Sequence, residues 1–268
     1  MLNLPAPLDP LRRKVSAVWA YAQGMLPGET RSTPVLIFAQ GRSGSTVLES
    51  LLASTGHFAS RGELLGEGHE QVRRPHAFLR GHARRTGRRH FLAHVKVYQL
   101  NRDRIAAGAA PIDPRRFLQR LHGEGWRIIH LTREDRVRHV LSNLVAEARK
   151  EYHKLDDRPE TTAVRVERAA LEAGIAERLA FAEEERAALE GIPHTRVAYE
   201  DDLEPASAHQ ATVDRVLDFL GLPHRPVSTP LRKINARPLR DIIANYDELA
   251  DWLEGAGPGQ RGAATGAG

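Results

Sequence analysis

Five consecutive apolar residues, Val35-Leu36-Ile37-Phe38-Ala39, run without a break into Gln40-Gly41-Arg42-Ser43-Gly44-Ser45-Thr46. A helix-periodic stretch with Val47, Leu48, Leu51 and Leu52 on its inner face follows at once and stops near Gly56. An unbroken apolar run of this length before a small-residue loop suits a strand buried on both faces of a parallel sheet. The loop and the helix start make an anion site, because glycines let backbone approach, first-turn amides point outward and the helix dipole adds partial positive charge. Arg42 supplies a full charge and a planar fork for oxyanions, and Ser43, Ser45 and Thr46 add hydroxyl donors. A tight strand-to-helix turn with incidental serines would carry the same residues.

The loop is not a nucleoside-triphosphate Walker loop, since both the Gly-x-x-x-x-Gly-Lys spacing and the lysine are missing. The second apolar strand, Arg127 to Thr132, leads into Arg133, where a magnesium-holding strand would end in Asp. A cation at that place argues for a metal-free phosphate donor and against ATP chemistry.

Further strands are expected at Leu92–Val97, Trp126–Leu131 and Arg196–Tyr199, with a short one near Phe58–Ser60. Helices are expected at Asp113–Leu121, Asp135–Lys150, Thr161–Glu190, Pro205–Leu220 and Pro238–Leu253. The alternation predicts an α/β fold, P-loop-like, with a mostly parallel sheet of about five strands and helices on both faces. Residues 1–254 read as one domain, of which 1–31 are a helical extension, and the Gly/Ala-rich 255–268 as a disordered tail. In that extension Leu11, Val15, Val18, Ala22 and Met25 share a stripe expected to pack on the domain.

The 268 residues contain no cysteine, which excludes disulfides, thiolate metal sites and Cys nucleophiles. No apolar run approaches the ~20 residues of a membrane span and no signal pattern opens the chain, so the expected location is cytoplasmic. The net charge is +5, yet residues 71–90 hold seven arginines and no acid, so the rest is slightly acidic. That segment reads either as a lid or groove for an acidic acceptor or as a solvated basic loop. It has no aromatic ladder for nucleic acid, and the histidines around it show no metal-ligand spacing.

Arg42-Ser43-Gly44-Ser45-Thr46 resembles the 5′-phosphosulfate loop of sulfotransferases that use 3′-phosphoadenosine 5′-phosphosulfate (PAPS), with Gly41 where those enzymes usually carry proline. Arg133 and Ser142 occupy the places of that family's 3′-phosphate motif. Tyr199-Glu200-Asp201 with Leu203, then Phe219-Leu220-Gly221, resemble its third landmark, with Asp202 as an extra residue. Bacterial, carbohydrate-type members look closest.

The resemblance implies a PAPS-dependent sulfotransferase with adenosine 3′,5′-bisphosphate (PAP) as product and no metal. It implies cofactor contacts from Gly41, Arg42, Ser43, Gly44, Ser45, Thr46, Arg133, Ser142 and Tyr199. Arg42 would serve the leaving phosphate, Lys96 the sulfuryl group, and Glu63 would be the base, with His94 as the fallback. The residues alone also allow Lys96 as a surface lysine, Arg133 as a helix-start ion pair with Glu134 or Asp135, and Glu63 as a solvated loop carboxylate. The implied partner is a hydroxyl-bearing acceptor, an acidic glycan or glycolipid, with no nucleic acid and no transmembrane segment. The alternative is a non-catalytic nucleotide- or polyanion-binding module.

Overall fold

The computed structural model describes residues 10–28, 30–66, 72–149, 163–231 and 238–255. The tail beyond Gly255, and Arg232 and Lys233 as possible phosphate contacts, lie outside the described residues.

Helix α1 (Pro10–Met25) precedes β1 (Val35–Ala39), α2 (Ser45–Ser54), β2 (Phe58–Glu63), α3 (Pro75–Arg84) and β3 (His90–Lys96). Short helices α4 (Val97–Leu100) and α5 (Arg102–Ala106) lead to α6 (Pro114–Gly123), β4 (Arg127–Thr132), α7 (Arg136–Arg149), α8 (Arg168–Leu189) and β5 (His194–Ala198). The chain closes with α9 (His209–Leu220), α10 (Leu239–Ile242) and α11 (Tyr246–Gly255).

The five strands form one all-parallel sheet in the order β2-β3-β1-β4-β5. All five residues of β1 are buried, as a central strand covered on both faces requires. Pleating sends Leu36 and Phe38 into a core with Phe78, Leu79, Phe117 and Phe181 from α3, α6 and α8, and with Trp126 just ahead of β4. Val35, Ile37 and Ala39 go into the opposite core with Leu48, Leu51, Val213 and Leu217 from α2 and α9. The chain steps from β1 to one side of the sheet, then returns to β4 and β5 on the other. The carboxyl end of β1 is therefore the point where strand order reverses, and such sheets leave a crevice there.

After β5, residues Tyr199–Leu203 form one π turn, closed by the Glu204 amide on the Tyr199 carbonyl at 2.8 Å. The wider turn accommodates five residues, Asp202 among them, between β5 and the stretch that leads to α9. The Asp202 carboxylate then accepts from the Ala198 amide at 2.7 Å and from Arg215 at 2.6 Å.

Two expectations are corrected. The basic segment is not one lid or one solvated loop, because its middle half, residues 75–84, is helix α3. Arg80 donates to the Gly24 carbonyl, and Arg84 to those of Gln23, Leu26 and Gly28, so these arginines cap the end of α1. Helix α3 returns toward the start of β3, which carries Arg84 and the residues after it to the amino edge of the sheet, away from Lys96.

The stripe of α1 expected to face the domain instead faces out: Val15, Val18 and Met25 are exposed. The helix packs on α3 through its small residues, with Ala20 fully buried. A Cβ on Gly81 would overlap the Ala20 carbonyl, and one on Gly24 the Ala77 carbonyl.

Candidate functional site

The carboxyl edge around β1 carries a tight loop whose backbone is set by two left-handed residues. Gly44 has φ 97°, and Arg42, at φ 64°, is the one non-glycine residue with positive φ among the described residues. An L-residue in this region costs ~1–2 kcal/mol, so the loop holds Arg42 in a strained conformation. Gly44 leaves room for the Tyr199 ring, which would sit 2.7 Å from a Cβ there. Gly41 leaves room for the Tyr98 hydroxyl, 2.5 Å from where a Cβ would stand. Helix geometry leaves the first amides of α2, those of Ser45 and Thr46, without an intrahelical acceptor.

The three hydroxyls of the loop differ in orientation. Ser43 is fully buried and donates to the Gln40 carbonyl at 2.7 Å, so its proton braces the loop rather than facing outward. Ser45 accepts from Lys96 Nζ at 2.7 Å, which leaves its own proton for another acceptor. Thr46 is half-buried.

Strand register places the cations. Ala39 at the end of β1 pairs with Lys96 on β3 and with Leu131 on β4, so Lys96 and Arg133 flank the loop from opposite sides. Lys96 is only 1% exposed, which overturns its reading as a surface lysine. Burial pushes its pKa down, while Glu63, Glu185 and Glu49 pull it back up. Arg133 is 7% exposed and is not a helix-start ion pair. The chain start of α7 is instead held by Glu200, whose carboxylate accepts the Glu134 and Asp135 amides at 3.0–3.1 Å. Arg133 lies 4.5 Å over the Tyr199 ring and donates from Nη1 to the Arg42 carbonyl at 2.9 Å. Its buried Nε has no hydrogen-bond partner. Arg42 Nε donates to Ser142 Oγ at 3.3 Å, bringing the loop and α7 together.

The structure thus gathers Arg42, Arg133, Ser142 and Tyr199 on the β4 side of the loop. It gathers Lys96, Ser45, Glu63 and His94 on the β3 side. Glu63 ends β2, and its side chain is 36% exposed. Gln99 donates its amide to Glu63 while accepting the Lys96 amide at 2.9 Å, so the carboxylate is tied to the end of β3. His94 shares a strand face with Lys96, its Nε2 2.8 Å from Glu49 and its Nδ1 3.8 Å from Glu63.

Burial pushes Glu49 up. Bonds from His94, Ser60 and the Gly62 amide outweigh that and hold it below the ordinary carboxylate value. Glu49 thus anchors the ring of His94 through Nε2, and the ring's Nδ1 faces Glu63.

Sequence reasoning missed Glu49, Gln99 and His139. Glu49 was signalled by a lone carboxylate between Leu48 and Leu51 on an apolar helix face; the others carry no spacing signal. His139 is fully buried on α7 and donates from Nε2 to the Gly41 carbonyl at 2.7 Å. Burial, then Arg178 and Arg133, hold its pKa well below 6.5, so it is neutral with its proton on Nε2.

No protein-family model matches this chain, and no curated protein does. Among solved structures it is similar to the sulfotransferase domain from the Synechococcus PCC 7002 olefin synthase. That similarity has a TM-score of 0.44 and 13% identity, over 91% of this chain and 92% of the other. Among the described residues no cluster of His, Asp and Glu could hold a metal ion.

Proposed function

We propose that this protein is a sulfotransferase that moves a sulfuryl group from PAPS to a hydroxyl of a carbohydrate or glycolipid acceptor, with PAP as product. The observation that carries the reading is the convergence of Arg42, Arg133 and Lys96 on one strained loop at the strand-order reversal. The residues fit a nucleotide with two anionic ends. The orphaned Arg133 Nε and the Ser142 hydroxyl suit the 3′-phosphate. Arg42 with the amides of residues 43–46 suits the 5′ end.

When bound, PAPS supplies an activated sulfuryl group whose leaving partner is the phosphate of PAP. The protein then contributes positioning and charge. Arg42 and the loop amides stabilise negative charge growing on the leaving oxygen, and Lys96 stabilises the charge of the group in transfer. Glu63, the exposed member of the Glu49–His94–Glu63 row, takes the acceptor hydroxyl proton. His94, anchored by Glu49, is a positioning residue that keeps a polar neighbour at Glu63. Tyr98 remains a neutral phenol, because burial and then the nearby Glu63 carboxylate raise its pKa.

Calorimetric titration with PAP in magnesium-free buffer tests the reading. One saturable site is expected, lost in Arg133→Ala. An absence of PAP binding with and without magnesium would overturn it. Incubation with PAPS and a panel of glycans, read as the mass gain of one sulfuryl group, then identifies the acceptor class.

A further inference from the structure

The outer face of α1 is apolar from Val15 to Met25 and on into Leu26. Val15, Val18, Trp19, Met25 and Leu26 are each more than half exposed. With ~100° per residue Val15, Val18, Trp19, Ala22 and Met25 fill one continuous arc of roughly a third of the helix circumference. A stripe this size with a tryptophan in it is not the scattered apolar exposure of an ordinary surface.

Basic residues predominate around the arc. Residues 10–28 contain Arg12, Arg13 and Lys14 and no acid. Arg85 at the end of α3 reaches across to Ser16 Oγ at 3.3 Å and is itself exposed. Arg80 and Arg84 sit on the last carbonyls of α1. The exposed guanidinium of Arg85 therefore stands beside an apolar, tryptophan-bearing face whose own helix carries basic residues and no acid.

We propose that this face seats the protein on the surface of an anionic phospholipid bilayer, with α1 lying in the interfacial plane. The pattern is that of interfacial helices, whose apolar residues enter the headgroup boundary while flanking Lys and Arg meet anionic lipid. Sixteen residues span roughly 24 Å, short of the hydrocarbon thickness, and no described helix is long and apolar enough to cross a membrane. The helix is held from behind by its close packing on α3, so the apolar face is presented rather than free to fold inward.

Co-sedimentation of the full chain with two kinds of vesicle tests this: phosphatidylcholine alone, and phosphatidylcholine mixed with phosphatidylglycerol. Binding to the mixed vesicles is expected to be at least ~10-fold stronger, with a blue shift of tryptophan emission. Val18→Asp should abolish it at unchanged melting temperature, since the side chain is exposed. Arg85→Gln should weaken it about fivefold by removing one charge. Equal binding to both vesicles, no binding to either, or undiminished binding by Val18→Asp each overturns the proposal. So does a wild-type dimer that Val18→Asp converts to monomer in the absence of lipid binding, because a second copy would then be what covers the face.

Discussion

Lys96 Nζ donates to Ser45 Oγ across 2.7 Å, linking the last residue of β3 to the first residue of α2. The bond places a buried ammonium under the start of the helix that heads the anion loop. Its surroundings include three carboxylates, those of Glu63, Glu185 and Glu49, whose charges favour it, while burial opposes it. A buried charge held this way is a weak stabiliser, because the desolvation penalty offsets most of the attraction.

Lys96→Met should therefore separate stability from function. The apolar side chain matches the lysine stem in volume, so the melting temperature should hold or rise. Turnover should fall ~10²-fold or more with loss of the cation, the scale of an electrostatic group removed from a transition state. Thermal melts and initial rates on one preparation check both halves. A Lys96→Met enzyme of normal activity would remove Lys96 from the mechanism.

Arg42 offers a second separation. Its left-handed backbone suits glycine better than any residue with a Cβ. Arg42→Gly should be more stable than Arg42→Ala by ~1 kcal/mol in urea unfolding, although both lose the guanidinium. Both should lose PAP affinity alike. If Arg42→Gly binds PAP while Arg42→Ala does not, the loop acts through shape rather than charge.

The base assignment rests on exposure. Glu63 faces solvent, whereas His94 is buried behind it. Glu63→Gln should cut kcat by ~10² or more with little change in PAP affinity. His94→Gln should leave a smaller loss, because it alters only the neighbour of the base. A larger loss for His94→Gln than for Glu63→Gln would reverse the two roles.

How much of this was legible in the sequence depends on how local each signal is. The strand, loop and helix around Arg42 were readable because each is a continuous segment with its own periodicity. Arg133 and Ser142 were singled out by the family resemblance, since on its own Ser142 reads as an ordinary mid-helix serine. Helix α3 was not readable: its buried face carries His76, Gly81 and His82 beside Phe78 and Leu79, which dilutes the apolar stripe among arginines. The orientation of α1 was read the wrong way round for a related reason. Its contact with α3 uses Ala20 and Gly24 against Ala77 and Gly81, and such small residues carry little hydrophobic signal compared with Val18 or Trp19. Glu49 and His139 reach the site from separate helices, and spacing along the chain does not report that convergence.

The same contact makes a stability prediction. Gly81→Ala forces a methyl group into the Ala20 carbonyl, a backbone atom that cannot rotate away. The two helices must separate, at ~1–3 kcal/mol, the usual cost of overpacking. Limited proteolysis should cut within α1 faster than in wild type, while PAP binding at the far edge of the sheet is kept. Unchanged protection of α1 would mean that the helices are not packed this closely.

His139 ties stability to pH. Its folded pKa lies well below the 6.5 expected for the unfolded chain, chiefly through burial and then through Arg178 and Arg133. Below pH 6.5 the unfolded state binds a proton that the folded state refuses, so stability rises with pH in that window. The contribution of the neutral imidazole is complete above 6.5 and is lost as pH falls toward the folded value. The limiting slope for one proton is about 1.4 kcal/mol per pH unit. Urea unfolding of wild type between about pH 7.5 and 5 should show this slope. His139→Gln, which keeps a donor for the Gly41 carbonyl but does not titrate, should show a shallower slope and retain PAP binding. Identical slopes in the two proteins would place the acid sensitivity elsewhere and leave the His139–Gly41 bond a packing contact without a proton linkage.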